Sequence, residues 1–413
     1  MSKPKVFEKP IGVKDYLPHA VTKLRQIENQ VLACMRSWGY EQIMTPTMEY
    51  YDTVGVASST SDQKLFKLLN NRGTTLVLRS DMTAPIARVV SSVLKDVQFP
   101  IRLSYHSSVY RAIEEEAGRD AEFFQTGVEL VGDASPDADA EVVALAIASL
   151  KAAGVKRFKI AIGHVGFLNG LFEAALPGCR DAQEELKAYL LGRDYVGYRE
   201  RLRSLTISDE MRAELEGILR LRGGQEICNQ AMALRLDDMA LSSIRHLCEM
   251  WDVLEAYGVC EHALIDLTMI GDFQYYTGMT FEAYAADLGF PVASGGRYDN
   301  LLKQFGRPAP ATGFALKTTR ILELIGDADD DAGPARVLIG YDPAGRAVAL
   351  EKARELREAG GASVTVMTER MDAVSQAAVR EAASGGGQVL YKGVAFTKLL
   401  TYFGGEREGE QLA

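Results

Sequence analysis

The chain has 413 residues, 47% of them hydrophobic and 25% charged, and a formal net charge of −10, which is ordinary for a globular protein of two or three domains. It contains no run of about 18 apolar residues and no apolar stretch after its basic N-terminus, so we expect neither a membrane span nor a signal peptide, and a cytoplasmic protein. The acidic balance disfavours an extended nucleic-acid-binding face, because such a face needs lysine and arginine against phosphate.

The cysteines and histidines give no sign of a metal site. The five cysteines are scattered and lack CxxC spacing: Cys34, Cys179, Cys228, Cys248 and Cys260. The five histidines are equally dispersed: His19, His106, His164, His246 and His262. We therefore expect free, buried thiols, no metal and no cofactor.

The first 90 residues predict a helix, a strand, a hairpin and a second helix. Apolar residues at helical spacing predict a helix over 18–40 that is capped by Gly39. The segment YEQIMTPTMEYY predicts a strand that ends at Pro46. LFKLLNNRGTTLVLRS predicts a hairpin, because its asparagines and glycine tolerate a positive φ in the turn. The next segment, DMTAPIARVVSSVLK, predicts a helix with Asp81 near its N-terminus.

The middle of the chain predicts an antiparallel sheet with helices set apart from it. IRLSYHSSVYRA and AEFFQTGVELVG predict strands joined by the polar loop IEEEAGRD, and a helix over 137–153 and the strand KRFKIAIGH follow. Residues 177–260 are almost wholly helical in pattern, which indicates an inserted helical region. ALIDLTM, MTFEAYAA and PVASGG predict further strands, before a helix over 315–325. This arrangement favours an α+β fold.

The last part of the chain predicts a separate small domain. GDADDDAGPA at 326–335 is acidic, small and contains proline and glycine, which predicts a linker after a core of residues 1–325. Over 336–413, the strands RVLIGY, ASVTVMT and QVLYKG alternate with helices at 346–359 and 372–383. Such a βαβαβ pattern predicts a small parallel sheet. The tail from Gly404 is expected to fray.

Five segments carry a family resemblance. They are LRSDMTAPIAR (78–88), YRAIEEEAGRDAEFFQTGVELVG (110–132), MIGDFQYYTGMTFE (269–282), GGRYDNL (295–301) and GFALKTTRI (313–321). Each alone is a weak signal, but their order and spacing resemble the signature segments of histidyl-tRNA synthetase, a class II aminoacyl-tRNA synthetase. The resemblance implies a class II synthetase-like antiparallel sheet with helices, followed by a small C-terminal α/β domain similar to a shortened anticodon-binding domain.

The resemblance also implies a pocket for free histidine. It assigns a position near the ammonium group, or near the imidazole for the two tyrosines, to Asp81, Thr83, Gln125, Glu129, Tyr276 and Tyr298. Asp81 replaces the family's glutamate and is one methylene shorter. Gln125 and Glu129 lie four residues apart on a predicted strand, so they share a face. Taken singly, Glu129 could equally be an ion-paired surface residue, and the tyrosines could be ordinary core aromatics.

The groups that would activate histidine with ATP are depleted. Where the family has charged residues, this chain has Gly271 for an arginine, Gln274 for an aspartate, Ile113 for a glutamate and Ala121 for a second arginine. Two family arginines are retained, Arg111 and Arg320. Lys317 replaces a glycine and would fill the nucleotide pocket. Because losing one preorganised charged donor typically costs roughly 10²–10³ in rate, we expect no catalytic residues.

A retained pocket without activation chemistry is similar to one branch of this family, the regulatory subunits of ATP phosphoribosyltransferase. That resemblance implies an assembly with a short-form catalytic subunit, self-association as a dimer within the hetero-oligomer, and feedback by L-histidine on the first step of its own biosynthesis. It implies no membrane contact and makes tRNA an unexpected partner. Two alternatives stay open: an active histidine–tRNA ligase, and a synthetase-derived RNA-binding or nutrient-sensing module.

Overall fold

A computed structural model gives the fold, and the chain divides into two compact units, residues 1–327 and 328–413. The described residues are 7–412 apart from 113–119, 235, 270–274, 287, 327–334, 361–363, 373–374, 376–388, 393 and 405. Most of the predicted loop at 113–120, the predicted linker and the predicted helix at 372–383 therefore lie outside them.

The N-terminal unit combines strands and helices. Its strands are β1 (Glu41–Gln42), β2 (Met48–Tyr50), β3 (Lys67–Leu69), β4 (Thr75–Leu78), β5 (Ile101–Tyr110), β6 (Glu122–Val131), β7 (Phe158–His164), β8 (Arg222–Gly223), β9 (Ala263–Asp266), β10 (Met279–Ala285), β11 (Ala293–Arg297) and β12 (Ala311–Lys317). Its helices are α1 (Pro18–Ser37), α2 (Thr83–Ser92), α3 (Pro136–Ala152), α4 (Val165–Ala175), α5 (Arg180–Leu191), α6 (Tyr195–Ser204), α7 (Asp209–Gly217), α8 (Glu226–Met232), α9 (Asp238–Ala256), α10 (Leu301–Gln304) and α11 (Thr318–Ile325).

The main sheet has nine strands in the order β1-β5-β6-β12-β11-β10-β7-β9-β8. Its central run from β5 to β7 is antiparallel throughout, whereas β1 pairs with β5, and β7 with β9, in parallel. This arrangement confirms the α+β prediction. A second sheet, β2-β4-β3, is antiparallel and includes the predicted hairpin.

One face of the main sheet is the hydrophobic core. Side chains such as Val128, Ile162 and Phe281 project from this face and are almost fully buried together with α1, α3, α4 and α9. Helix α3 is apolar nearly all round, as a fully covered helix must be. Ser135 caps its N-terminus by accepting a hydrogen bond from the Ala138 amide at 3.3 Å. Because side chains alternate along each strand, the polar residues between these core positions face the other side of the sheet.

Two predicted elements of this unit need correction, and the glycine predicted to follow α1 is confirmed. The strand predicted to end at Pro46 is the short β1, Glu41–Gln42, and the residues after Pro46 form β2 in a different sheet. The helix predicted from 315 begins only at Thr318, because residues 311–317 form the strand β12 between β6 and β11. Helix α1 ends at Ser37, and Gly39 follows it with a φ of +85°, as a glycine after a helix end requires.

The C-terminal unit contains β13 (Ala335–Tyr341), α12 (Arg346–Gly360), β14 (Val364–Arg370), β15 (Val389–Tyr391), β16 (Val394–Phe396), β17 (Lys398–Phe403) and β18 (Glu406–Leu412). Its sheet has the order β14-β13-β17-β18, with β13 parallel to both neighbours. The predicted third strand, QVLYKG, is wrong in its place: it contributes β15, which among the described residues pairs with β16 and not with the main C-terminal sheet. The frayed tail is also wrong, because β18 pairs antiparallel with β17.

The cysteines are free, but the prediction of burial is right only for Cys228 and is plainly wrong for the exposed Cys179. Within the described ranges, no helix is long and apolar enough to cross a membrane. The same ranges contain no group of three or more histidine, cysteine, aspartate or glutamate residues that could hold a metal ion.

A polar pocket as the candidate functional site

A pocket of about 180 Å³ lies on the polar face of the main sheet, over β6, β11 and β12. All six residues that the resemblance assigns to a ligand line it, as does the retained Arg111. The other lining residues are Ser59, Tyr105, Tyr275, Ser294, Gly295, Gly313, Phe314 and Ala315. The retained Arg320 is not among the lining residues.

Glu129 is the buried acid of the pocket, with only 2% of its surface exposed. Its Oε1 accepts a hydrogen bond from the Thr83 hydroxyl at 2.7 Å, and its Oε2 accepts one from the Tyr298 hydroxyl. Burial raises the pKa of Glu129 to about 8, although both hydroxyl donors act in the opposite direction. With its pKa raised in this way, the carboxyl group is mostly protonated at neutral pH, and it could release that proton to pair with a cation.

Asp81 has a structural task as well as a place in the pocket. Its Oδ1 accepts a hydrogen bond from the Ala84 amide at 3.1 Å, which caps α2 as its position in the sequence predicts. Its Oδ2 accepts hydrogen bonds from the hydroxyls of Ser58 and Ser80. These bonds fix the orientation of the Asp81 carboxylate at the pocket wall.

The aromatic wall contains two tyrosines that the sequence did not single out, Tyr105 and Tyr275. Tyr275 stacks on Tyr298 with ring centroids 5.4 Å apart, and it meets Tyr276 edge-on at 5.1 Å. The resemblance pointed only to Tyr276 of this tyrosine pair. The sequence around Tyr275 and Tyr276 has no regular alternation of polar and apolar residues, so it does not show that both side chains face one pocket. With Tyr105, four tyrosines therefore line the pocket.

The floor of the pocket depends on glycine. A Cβ atom added to Gly313 would lie 2.0 Å from Oε2 of Glu129, and one added to Gly295 would lie 2.4 Å from the Gly313 carbonyl oxygen. Both contacts are far closer than heavy atoms tolerate. These glycines thus leave the space that the buried carboxylate and a small ligand occupy.

The positive charges near the pocket have different surroundings. The Nε of Arg111 donates to the Ser80 carbonyl at 3.0 Å, and its guanidinium lies 5.4 Å from the Phe123 ring centre. Burial lowers the pKa of Arg111, and the Asp81 charge partly offsets that effect. Arg320 donates to the Pro291 carbonyl at 2.9 Å and lies over the Phe290 ring at 5.3 Å. Both of those partners line a neighbouring cavity instead.

Of the positions where charge has been replaced, Ala121 is described. Its side chain is buried, and its amide donates to the Gly12 carbonyl at 2.7 Å. The chain therefore offers no side-chain charge at this point. The other three, Ile113, Gly271 and Gln274, lie outside the described residues.

The neighbouring cavity is larger, about 760 Å³, and lies over β7, β9 and β10 beside α5. Sequence reasoning did not predict it. Its charged residues are largely paired with each other: Arg193 lies 3.4 Å from Glu282, and Arg222 lies 3.3 Å from Asp266.

These features together suit a small ligand with a positive group, a negative group and an aromatic ring. A buried acid, hydroxyl groups, four tyrosines and an arginine line one pocket.

The fold defines a class of protein, the class II aminoacyl-tRNA synthetase-like proteins. The family model for histidyl-tRNA synthetase matches residues 12–321. Within this class the chain belongs to the family of ATP phosphoribosyltransferase regulatory subunits. It is 45% identical over 364 residues to the protein of that name from Halalkalibacterium halodurans, which covers 88% of this chain and 91% of the relative. The Bacillus subtilis protein is 43% identical over 352 residues, which cover 85% and 90%.

Solved structures agree with this family. The crystal structure of an ATP phosphoribosyltransferase regulatory subunit/histidyl-tRNA synthetase from Bacillus halodurans superposes with a TM-score of 0.86 at 40% identity, covering 97% of this chain and 100% of that chain. Histidyl-tRNA synthetase from Nostoc shares the fold, with a TM-score of 0.79 at 19% identity over 99% and 97% of the two chains.

Proposed function

We propose that this chain is a non-catalytic, cytoplasmic subunit that assembles with a short-form ATP phosphoribosyltransferase chain, enables its activity and makes it inhibitable by L-histidine. The observation that carries the proposal is a pocket that keeps its acid and aromatic walls while Ala121 replaces a phosphate-facing arginine. A protein that binds a ligand without transforming it acts by biasing a partner between two states.

The proposed ligand of the pocket is free L-histidine. Its ammonium would lie against Glu129, with Asp81, Thr83 and Gln125 close by, because each of these side chains offers an acceptor oxygen at the pocket wall. Its imidazole would lie against Tyr276 and Tyr298. A charge-assisted hydrogen bond of this kind contributes about 1.5–3 kcal/mol.

The absence of synthetase activity is supported by the lost charges. Activation of an amino acid by ATP needs cations where negative charge develops on the phosphate groups. Ala121 cannot supply one, and Arg320 already donates to the Pro291 carbonyl. In the proposal, the C-terminal segment 336–413 resembles a shortened anticodon-binding domain but does not bind tRNA.

Self-association is supported by an apolar face of the small sheet. Register places Tyr50, Leu76 and Leu68 side by side on β2, β4 and β3, and Met48, Tyr50 and Leu68 are 55%, 57% and 42% exposed. An exposed apolar sheet face normally marks an interface. We propose that a second copy of the chain covers it. Leu68→Lys should lower the mass measured by light scattering to that of a monomer, whereas Met239→Lys on α9 should leave it unchanged.

The test of the proposed function is assembly and activation. A purified short-form catalytic chain is assayed for N1-(5-phosphoribosyl)-ATP formation with and without this chain, and the mixture is fractionated by size at micromolar concentration. The proposal expects a stable complex and a large increase in turnover. Equal turnover with and without this chain, or separate elution of the two proteins, would contradict it.

A further inference from the structure

Lys317 is a half-buried cation next to the residues that line the pocket. It ends β12, where its Cα is paired with that of Gln125 on β6, so the two side chains start from one face of the sheet. Two residues earlier on the same strand, Ala315 lines the pocket. The Lys317 side chain therefore leaves the strand on the pocket side, beside a residue that the proposed ligand would touch.

The ammonium of Lys317 has an unusual charge environment. Among the described residues, it makes no hydrogen bond and no ion pair. Arg111 and Arg320 act on it as like charges, and Glu282 is the carboxylate that favours it. Glu282, however, already accepts from Tyr284 and lies 3.4 Å from Arg193. Two like charges thus act on the Lys317 ammonium, and the carboxylate that favours it is engaged with other partners.

We propose that Lys317, together with Arg111, forms a subsite for the α-carboxylate of the amino acid bound in the pocket. This inference rests on the proposed function and deepens it. In the synthetases an arginine occurs in the segment where this chain has Gly271. Lys317 stands where the family has a glycine, so its positive charge is additional to the family pattern. By strand register it lies beside Gln125, away from the Glu129 end of β6.

The geometry of an α-amino acid supports this assignment. The ammonium and the carboxylate are attached to one carbon, so a receptor must offer an acid and a base a few ångströms apart. On β6 the acid is Glu129, and Gln125, whose strand partner is Lys317, lies four residues away on the same face, roughly 13 Å along the strand. In the proposal the long Lys317 side chain leans towards Glu129, and the ligand bridges the remaining distance. Burial and the neighbouring arginines lower the pKa of Lys317 to about 8, which an anionic ligand would reverse.

The carboxylate is favoured over a phosphate group as the occupant. The pocket volume of about 180 Å³ is small, and Arg320 is held over Phe290 beside the other cavity. A nucleotide would need space that Lys317 itself fills. Inorganic phosphate serves as the probe for this second source of negative charge.

The test compares two ligands and two variants by calorimetry. L-Histidine carries the carboxylate, whereas L-histidinol has a hydroxymethyl group in its place and keeps the ammonium and the imidazole. Lys317→Met preserves the length and the apolar stem of the side chain, and Lys317→Gln is the second variant should the first not fold. Lys303→Met, on an exposed position of α10, is the control.

The expected result is that Lys317→Met weakens the binding of L-histidine at least tenfold and changes the affinity for L-histidinol less than twofold. Lys303→Met should change neither affinity. Equal losses for both ligands would show a merely structural lysine and would overturn the inference. Unchanged histidine affinity, or phosphate binding that Lys317→Met alone removes, would overturn it as well. The outcomes above overturn the inference alone. If the unsubstituted chain binds no histidine at all, the proposed function fails as well, so the two failures are distinguishable.

Discussion

The Tyr298 hydroxyl donates a hydrogen bond to the Glu129 carboxyl group, across 169 residues of sequence. This contact joins the segment after β11 to the C-terminal part of β6, at the acidic end of the pocket. With Thr83 on the other oxygen, the carboxyl group is held in one orientation. The buried acid is thus oriented so that it can pair with a positively charged group. Burying it costs free energy, which the folded chain tolerates.

Glu129→Gln should weaken the binding of L-histidine more than tenfold, because an uncharged amide cannot replace a charge-assisted hydrogen bond of about 1.5–3 kcal/mol. Binding should also release protons at pH 7. The free carboxyl group, with its pKa near 8, is mostly protonated, and the ligand ammonium favours its charged form. Calorimetry in two buffers of different ionisation enthalpy measures this release, which Glu129→Gln should abolish. Equal proton release in both proteins would assign it to another group.

The same substitution should stabilise the empty protein in a pH-dependent way. The folded chain keeps the Glu129 proton up to about pH 8, whereas the unfolded chain loses it near 4.5, so the stability conferred by the acid falls as pH rises through this window. Glu129→Gln removes that loss. Its gain over the unsubstituted protein should be about 1–3 kcal/mol larger at pH 7.5 than at pH 5, by denaturant unfolding. Glu255→Gln, at an exposed position of α9, should show no such trend.

Gly313→Ala should abolish histidine binding. The added methyl group would lie 2.0 Å from the Glu129 carboxylate, so the carboxyl group must rotate away and fill the ligand space. Gly217→Ala is the matched control, since its Cβ would meet nothing within 4 Å. Isothermal titration of both variants decides the matter. Full affinity in Gly313→Ala would mean that histidine binds at another place.

The isolated chain should catalyse no histidine-dependent exchange between pyrophosphate and ATP, and should not charge tRNA. The reason is the loss of preorganised cations, each of which contributes roughly 10²–10³ in rate. Radiolabelled pyrophosphate exchange is the measurement, with an authentic histidyl-tRNA synthetase as the positive control. Turnover near one per second would point to a working ligase.

Several parts of this architecture could be predicted from the sequence. The alternation in β6 placed Gln125 and Glu129 on one face, and the pocket contains both. The capping role of Asp81 followed from its position before an apolar helical pattern. These predictions succeeded because each depends on local periodicity or on a side chain bonding to nearby backbone.

Other parts are invisible to local reasoning. Strand β12 lies between two neighbours and is largely covered on both faces, so it lacks alternation, and it runs into α11 without a turn residue. The pairing of β18 with β17 depends on backbone hydrogen bonds, which composition does not reveal. The stacking of Tyr275 on Tyr298 joins two loops that only the folded sheet brings together.

The central claim is that histidine acts on a partner enzyme through this pocket, and a histidine titration of the assembled transferase tests it most directly. The complex is assayed with the unsubstituted chain, with Glu129→Ala and with Tyr276→Ala. The account predicts that both variants still activate the catalytic chain while histidine inhibition is lost or shifted at least tenfold to higher concentration. Inhibition with unchanged histidine sensitivity in both variants would contradict it, because the inhibitor would then act from elsewhere in the complex.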